Sequence, residues 1–194
     1  MQSIPHMQMK ISIPNILTVI RILLVPLFVI SLMKDLFFSA LLVFTIAGVS
    51  DGLDGLIARY FNQRTVLGAY LDPIADKLLI ISAFVSLAVL KIIPGWLTVI
   101  VISRDVLILL GIAVFSITDI SVDIKPSFVS KCTTVAQIIT VIFILLNPAI
   151  SGAELIKNSL YWLSAGFSIL SGFHYIYKGM NILQAASLNN QKQK

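Results

Sequence analysis

Hydrophobic residues run along this chain in long blocks, with polar residues gathered between them. Runs such as Ile16 to Met33 and Leu36 to Gly48 approach the ~20 apolar residues that carry a helix across a bilayer core. Period-2 alternation is absent, and hydrocarbon tolerates no unpaired backbone, so the blocks predict helices rather than barrel strands. Breaks fall at Met33-Lys34-Asp35, Arg59 to Thr65, Lys91 to Pro94, Asp119 to Pro126 and Asn147 to Glu154, with a polar tail from about residue 188. They delimit six transmembrane helices in one all-α domain over residues 1–194, with no internal repeat or low-complexity linker to mark a second domain. Met1 to Ser12 is polar and apolar by turns and predicts a short interfacial helix, after which Pro14 suits a first helical turn.

Composition sharpens this picture. Of the residues, 58% are hydrophobic and 12% charged, against roughly 25% charged in an average soluble domain. The net charge of +5 comes from scattered basic residues, which disfavours nucleic acid as a partner and suits an anionic lipid surface. A lone Cys132 excludes an internal disulfide and a cysteine metal cage. The first span lacks a small-residue cleavage site, so it is expected to be retained. Lys10, Arg59, Arg64, Lys125, Lys131, Lys178, Lys192 and Lys194 fall on one predicted side, and Lys34, Lys91 and Lys157 on the other. That bias predicts both termini in the cytoplasm.

Chemistry enters with the carboxylates. The chain has nine acidic residues, and Asp51, Asp54, Asp72 and Asp76 fall within residues 51–76. Asp51 and Asp54 are three apart and Asp72 and Asp76 four apart, so each pair shares a helix face, and the short basic loop at Arg59 to Thr65 predicts that the two helices are antiparallel neighbours. Each ionised acid costs ~2.5–3.5 kcal/mol near mid-membrane, and four together repel. Hard divalent cations relieve both penalties, because Mg²⁺ and Mn²⁺ prefer oxygen ligands and bridge carboxylates to phosphates. Gly48, Gly52, Gly55, Ala58 and Gly68 leave room for a ligand against the backbone, or alternatively for close helix packing. Arg59 and Arg64 could fork onto phosphate oxygens. His6, in the polar leader, and His174, on an aromatic helix face, offer no convincing nucleophilic pair.

The stretch Asp51-Gly52-Leu53-Asp54-Gly55-Leu56-Ile57-Ala58-Arg59, with Gly68, Asp72 and Asp76 following, fills every fixed position of the pattern D-x2-D-G-x2-A-R-x8-G-x3-D-x3-D. It resembles the CDP-alcohol phosphatidyltransferase motif. The resemblance extends to Pro14-Asn15 and Arg21, to Ser103-Arg104-Asp105, and to Lys125-Pro126-Ser127 with Ser130-Lys131. It implies a six-helix membrane fold with a polar cleft open to the cytoplasmic leaflet, a homodimer, and a setting such as a bacterial inner membrane. It implies two divalent ions on Asp51, Asp54, Asp72 and Asp76, with Asp76 also the general base. Asp51, Gly55, Ala58, Arg59 and Gly68 would bed the cytidine diphosphate part of CDP-diacylglycerol.

The reaction so implied has an alcohol attack the phosphorus next to diacylglycerol and expel cytidine monophosphate. For the acceptor, Arg104 either pairs with Asp105 or another carboxylate, or joins Lys131 and Arg21 in a basic pocket for an acceptor phosphate. Such a pocket suits phosphatidylglycerol, giving cardiolipin, or glycerol 3-phosphate. Asp105 and Thr133 look more like the cardiolipin-forming branch, since the other branch more often shows glutamate and lysine at those positions. An ion-coupled transporter would also place acids between membrane helices, but with carboxylates near the midplane and access from both faces.

Overall fold

The computed structural model describes residues 13–60, 66–117, 128–146 and 152–192. The expected interfacial helix at the N-terminus and the expected breaks over 61–65 and 118–127 lie outside the described residues. Six helices follow in order: α1 (Ile13–Met33), α2 (Phe37–Tyr60), α3 (Val66–Val89), α4 (Gly95–Ile117), α5 (Phe128–Leu146) and α6 (Ala153–Lys192). Among the described residues there is no strand. Their ends fall at the predicted breaks, except that α6 runs through Lys192, four residues past the start of the expected polar tail at about 188. Ala185, Ala186, Leu188 and Gln191 all have good helix propensity, so polarity there does not stop the helix.

By length and composition, α5 (Phe128–Leu146) is the one helix among the described residues that meets the measure for a membrane span. Thr18–Met33, Phe37–Ser50 and Lys77–Val89 form shorter apolar stretches. At 1.5 Å per residue, the 40 residues of α6 extend about 60 Å, twice a bilayer core.

The chain divides into two compact units, Met1–Ser82 and Ala83–Lys194. In the first, α1 packs on α2, burying Phe28 and Leu32 of α1 and Ala40, Phe44 and Ala47 of α2. The Phe28 and Phe44 rings meet at 5.6 Å between centroids and tilt by 45°. In the second unit, α6 packs on both α4 and α5. Trp96 meets Trp162 at 5.2 Å, and Arg104 reaches Ser171 further along both helices, so α4 and α6 run in the same direction. Helix α5 runs against them, because Thr140 meets Ser164 while Gln137 meets Ser168.

Two helix ends share one device. After α1, Asp35 takes φ 56°, its amide donates to the Leu32 carbonyl, and the Leu36 amide donates to that of Ser31. After α3, Lys91 takes φ 58°, its amide donates to Ala88 and that of Ile92 to Leu87. Both are Schellman caps with a left-handed residue where glycine is usual. A side chain is strained in that region, so Lys91→Gly is expected to stabilise the protein by about 1 kcal/mol. Thermal unfolding in detergent checks this; a lowered midpoint would contradict it.

Polarity is distributed inside out. Large apolar side chains stand outward, including Leu23, Phe38 and Val49 in the first unit and Val99, Leu110, Trp162 and Phe173 in the second. Meanwhile Thr18, Arg21, Arg104, Asp105, Thr133, Gln137, Thr140, Ser164, Ser168 and Ser171 are buried. A water-soluble protein has the reverse incentive, because exposed apolar surface costs ~25 cal/mol per Å².

Candidate active site

The motif residues lie on helical backbone. Asp51, Asp54, Gly55, Ala58 and Arg59 occupy the last turns of α2, and Gly68, Asp72 and Asp76 the first half of α3. Helical register places Asp51 with Asp54, and Asp72 with Asp76, on single faces. The side chains of these positions lie outside the described residues. Four carboxylates paired in this way are a hard-oxygen donor set of the type that holds Mg²⁺ or Mn²⁺, so the residue types and helical register fit a divalent metal.

The best-defined polar centre forms around Arg104, midway along α4. Its guanidinium is almost fully buried, at 3% exposure, and the adjoining Asp105 is at 0%. Arg104 Nη1 donates to Asp105 Oδ1 at 2.6 Å, and Nη2 donates to Ser130 Oγ of α5 at 2.6 Å. Nε and Nη2 both reach Ser171 Oγ of α6, at 3.2 and 2.9 Å. Three helices therefore converge on one guanidinium. Among the described residues, four of its five N–H groups are engaged by these contacts. The ion pair offered by the sequence is present, and two serines join it.

A ladder of polar contacts continues from this centre along the α5–α6 seam. The Thr133 hydroxyl lies 2.8 Å from the Val129 carbonyl and 3.0 Å from that of Phe167. Gln137 Nε2 donates to Ser168 Oγ at 3.2 Å, and the Thr140 and Ser164 hydroxyls share a 2.8 Å bond. Gln137 Oε1 is buried without a hydrogen-bond partner among the described residues. Interhelical bonds of this kind contribute about 0.6 kcal/mol each inside a membrane protein, so the ladder fixes the pairing of α5 with α6 more than it adds stability.

Of the remaining expected acceptor residues, Arg21 lies buried on α1 in the first unit, three residues after the buried Thr18. Lys131 is exposed on α5, next to the Ser130 that accepts from Arg104. Ser171 and the ladder residues other than Thr133 belong to no motif in the sequence. Their signal was present, since Ser164, Ser168 and Ser171 recur at helical spacing, as do Thr133, Gln137 and Thr140.

Beside Arg104, α4 and α6 enclose an open groove of 270 Å³ lined by Val99, Ile100, Leu107, Ile169, Phe173 and Ile176, with Ser103, Arg104, Ser168 and Gly172. A Cβ on Gly172 would meet Arg104 Cγ at 4.0 Å, an ordinary contact, so the arginine stem lies close along α6 there.

Buried charge within an apolar exterior suits a protein that works on lipid: a helical, membrane-associated protein that holds polar chemistry between its helices. Residues 11–170 match the family model described as CDP-alcohol phosphatidyltransferase, and the chain belongs to that family of transferases. It is 35% identical over 193 residues to human cardiolipin synthase (CMP-forming), an alignment covering 89% of this chain and 64% of the human protein. The chain thus spans just under two thirds of that relative's length. It is 28% identical over 202 residues to CDP-diacylglycerol--glycerol-3-phosphate 3-phosphatidyltransferase of Bacillus subtilis, covering 91% of this chain and 99% of the relative. The protein of that same name from Shigella flexneri is 31% identical over 174 residues, covering 87% and 94%.

Proposed function

We propose that this protein transfers a phosphatidyl group from CDP-diacylglycerol to the hydroxyl of phosphatidylglycerol, releasing CMP and forming cardiolipin. The observation that carries this reading is the complete aspartate motif, set in register on α2 and α3 within a chain of this family. Asp51, Asp54, Asp72 and Asp76 would hold two Mg²⁺ or Mn²⁺ ions, which supply charge neutralisation for the diphosphate and the departing phosphate. Arg59 forks onto the diphosphate, while Asp51, Gly55, Ala58 and Gly68 bed the cytidine end. Asp76 accepts the proton of the attacking hydroxyl, whose oxygen then bonds to phosphorus as the bond to CMP breaks. Arg104, Lys131 and Arg21 serve the acceptor phosphate. The six helices span the membrane with both termini cytoplasmic, as the basic residues favour, and the protein works as a homodimer, as the family resemblance suggests.

Glycerol 3-phosphate is the second reading for the acceptor. It is favoured by the bacterial relatives whose names include that acceptor and which align over nearly their whole length. Purified protein given CDP-diacylglycerol with each acceptor in parallel decides between them by the lipid formed. Cardiolipin from phosphatidylglycerol supports the first reading, and phosphatidylglycerophosphate with no cardiolipin selects the second. CMP release is expected with Mg²⁺ or Mn²⁺ and not in chelator; release that persists in chelator rejects the metal-assisted reaction.

A further inference from the structure

An open, mostly apolar groove lies between α4 and α6 beside Arg104. It runs from Val99 to Leu107 on α4 and from Ile169 to Ile176 on α6, about 12 Å at the helical rise. Its walls are apolar along both helices, which suits a hydrocarbon chain. Both rims continue onto apolar outer surface: Val99, Leu107 and Leu110 on α4, and Ile169, Phe173 and Ile176 on α6, are all exposed. A chain can therefore enter sideways from surrounding lipid.

A purely lipid-facing crevice has no use for polar residues. Here the exposed Ser103 and the buried Arg104 are part of the lining. The guanidinium is held in place by Asp105, Ser130 and Ser171, and Arg104 brings a fixed positive charge to the groove wall. We infer that the α4–α6 groove binds an acyl chain of the acceptor phospholipid, with the ester or phosphodiester oxygens of that lipid at Ser103 and Arg104. This deepens the proposed function and rests on its placing of Arg104 on the acceptor side. A water-soluble acceptor would have no use for the groove, so it bears on which acceptor is used.

The test uses the full chain in phosphatidylcholine nanodiscs with phosphatidylglycerol that carries a photoactivatable diazirine in one acyl chain. Labelling is expected on peptides containing residues 99–107 and 169–176, competed by unlabelled phosphatidylglycerol and not by added phosphatidylcholine. In Val99→Trp and Ile169→Trp, which narrow the groove from either wall, this selective labelling is lost. Their KM for phosphatidylglycerol rises about tenfold or more, the scale set by a few methylenes in an apolar pocket, while the KM for CDP-diacylglycerol does not change. Labelling elsewhere, equal competition by phosphatidylcholine, or a raised donor KM instead would overturn the inference. Either result is separable from the acceptor assay. Cardiolipin formation with non-selective labelling refutes the groove alone, whereas selective labelling without cardiolipin formation leaves a phosphatidylglycerol-binding groove and refutes its assignment to the acceptor.

Discussion

Asp76→Asn is expected to lower turnover by about 10²–10⁴-fold, the range a positioned general base contributes. An amide is nearly the size of a carboxylate but does not accept the proton of the attacking hydroxyl. Donor binding should change little, because Asp51, Gly55, Ala58, Arg59 and Gly68 are assigned to the nucleotide. Single-turnover CMP release, alongside equilibrium binding of CDP-diacylglycerol, separates the two effects. Near-normal turnover would remove Asp76 as the base. Weakened donor binding with normal chemistry would make it a ligand holder alone.

The second large effect is expected at Asp105. Its carboxylate lies fully buried, 2.6 Å from an Arg104 guanidinium at 3% exposure. Removing one partner of such a pair leaves a buried charge uncompensated and costs about 3–5 kcal/mol. Asp105→Leu should therefore lower the unfolding midpoint sharply, as followed by the fluorescence of Trp96 and Trp162. Replacing both partners is predicted to differ in kind. Arg104→Met with Asp105→Leu removes both charges together and should recover most of the lost stability, since apolar replacement of a buried pair is often neutral. Acceptor affinity should stay impaired in the double variant if Arg104 serves the acceptor. Recovery of both stability and acceptor affinity would reduce Arg104 to a structural ion pair. An unaltered midpoint in Asp105→Leu would contradict the burial itself.

Much of the helical layout was legible because it is local. Lys34-Asp35 and the Lys91 to Pro94 segment interrupt apolar runs, and the chain caps α1 and α3 there. Which cap forms was not legible, because Asp35 tolerates a left-handed backbone only weakly and Lys91 does not favour one; the Schellman bonds to Ser31 and Leu87 impose it. The polar tail beyond about residue 188 stays helical through Lys192 for a related reason. Polarity after residue 188 marks departure from an apolar environment, whereas continuation of a helix depends on backbone propensity.

For the site, the motif spacing by itself determined which acids share helix faces, because three- and four-residue separations fix a face whenever a helix forms. The sequence also named Arg104 as a buried cation and left its role open between pairing and acceptor binding. Tertiary structure decided its company. Ser130 lies 26 residues away and Ser171 67 residues away, and no local pattern specifies which helices adjoin or how each is rotated about its axis. The same holds for the groove, which arises because α4 and α6 run alongside each other in the same direction with Gly172 opposite the Arg104 stem. Periodicity encodes one helix at a time; a cavity and a shared hydrogen bond belong to several helices at once.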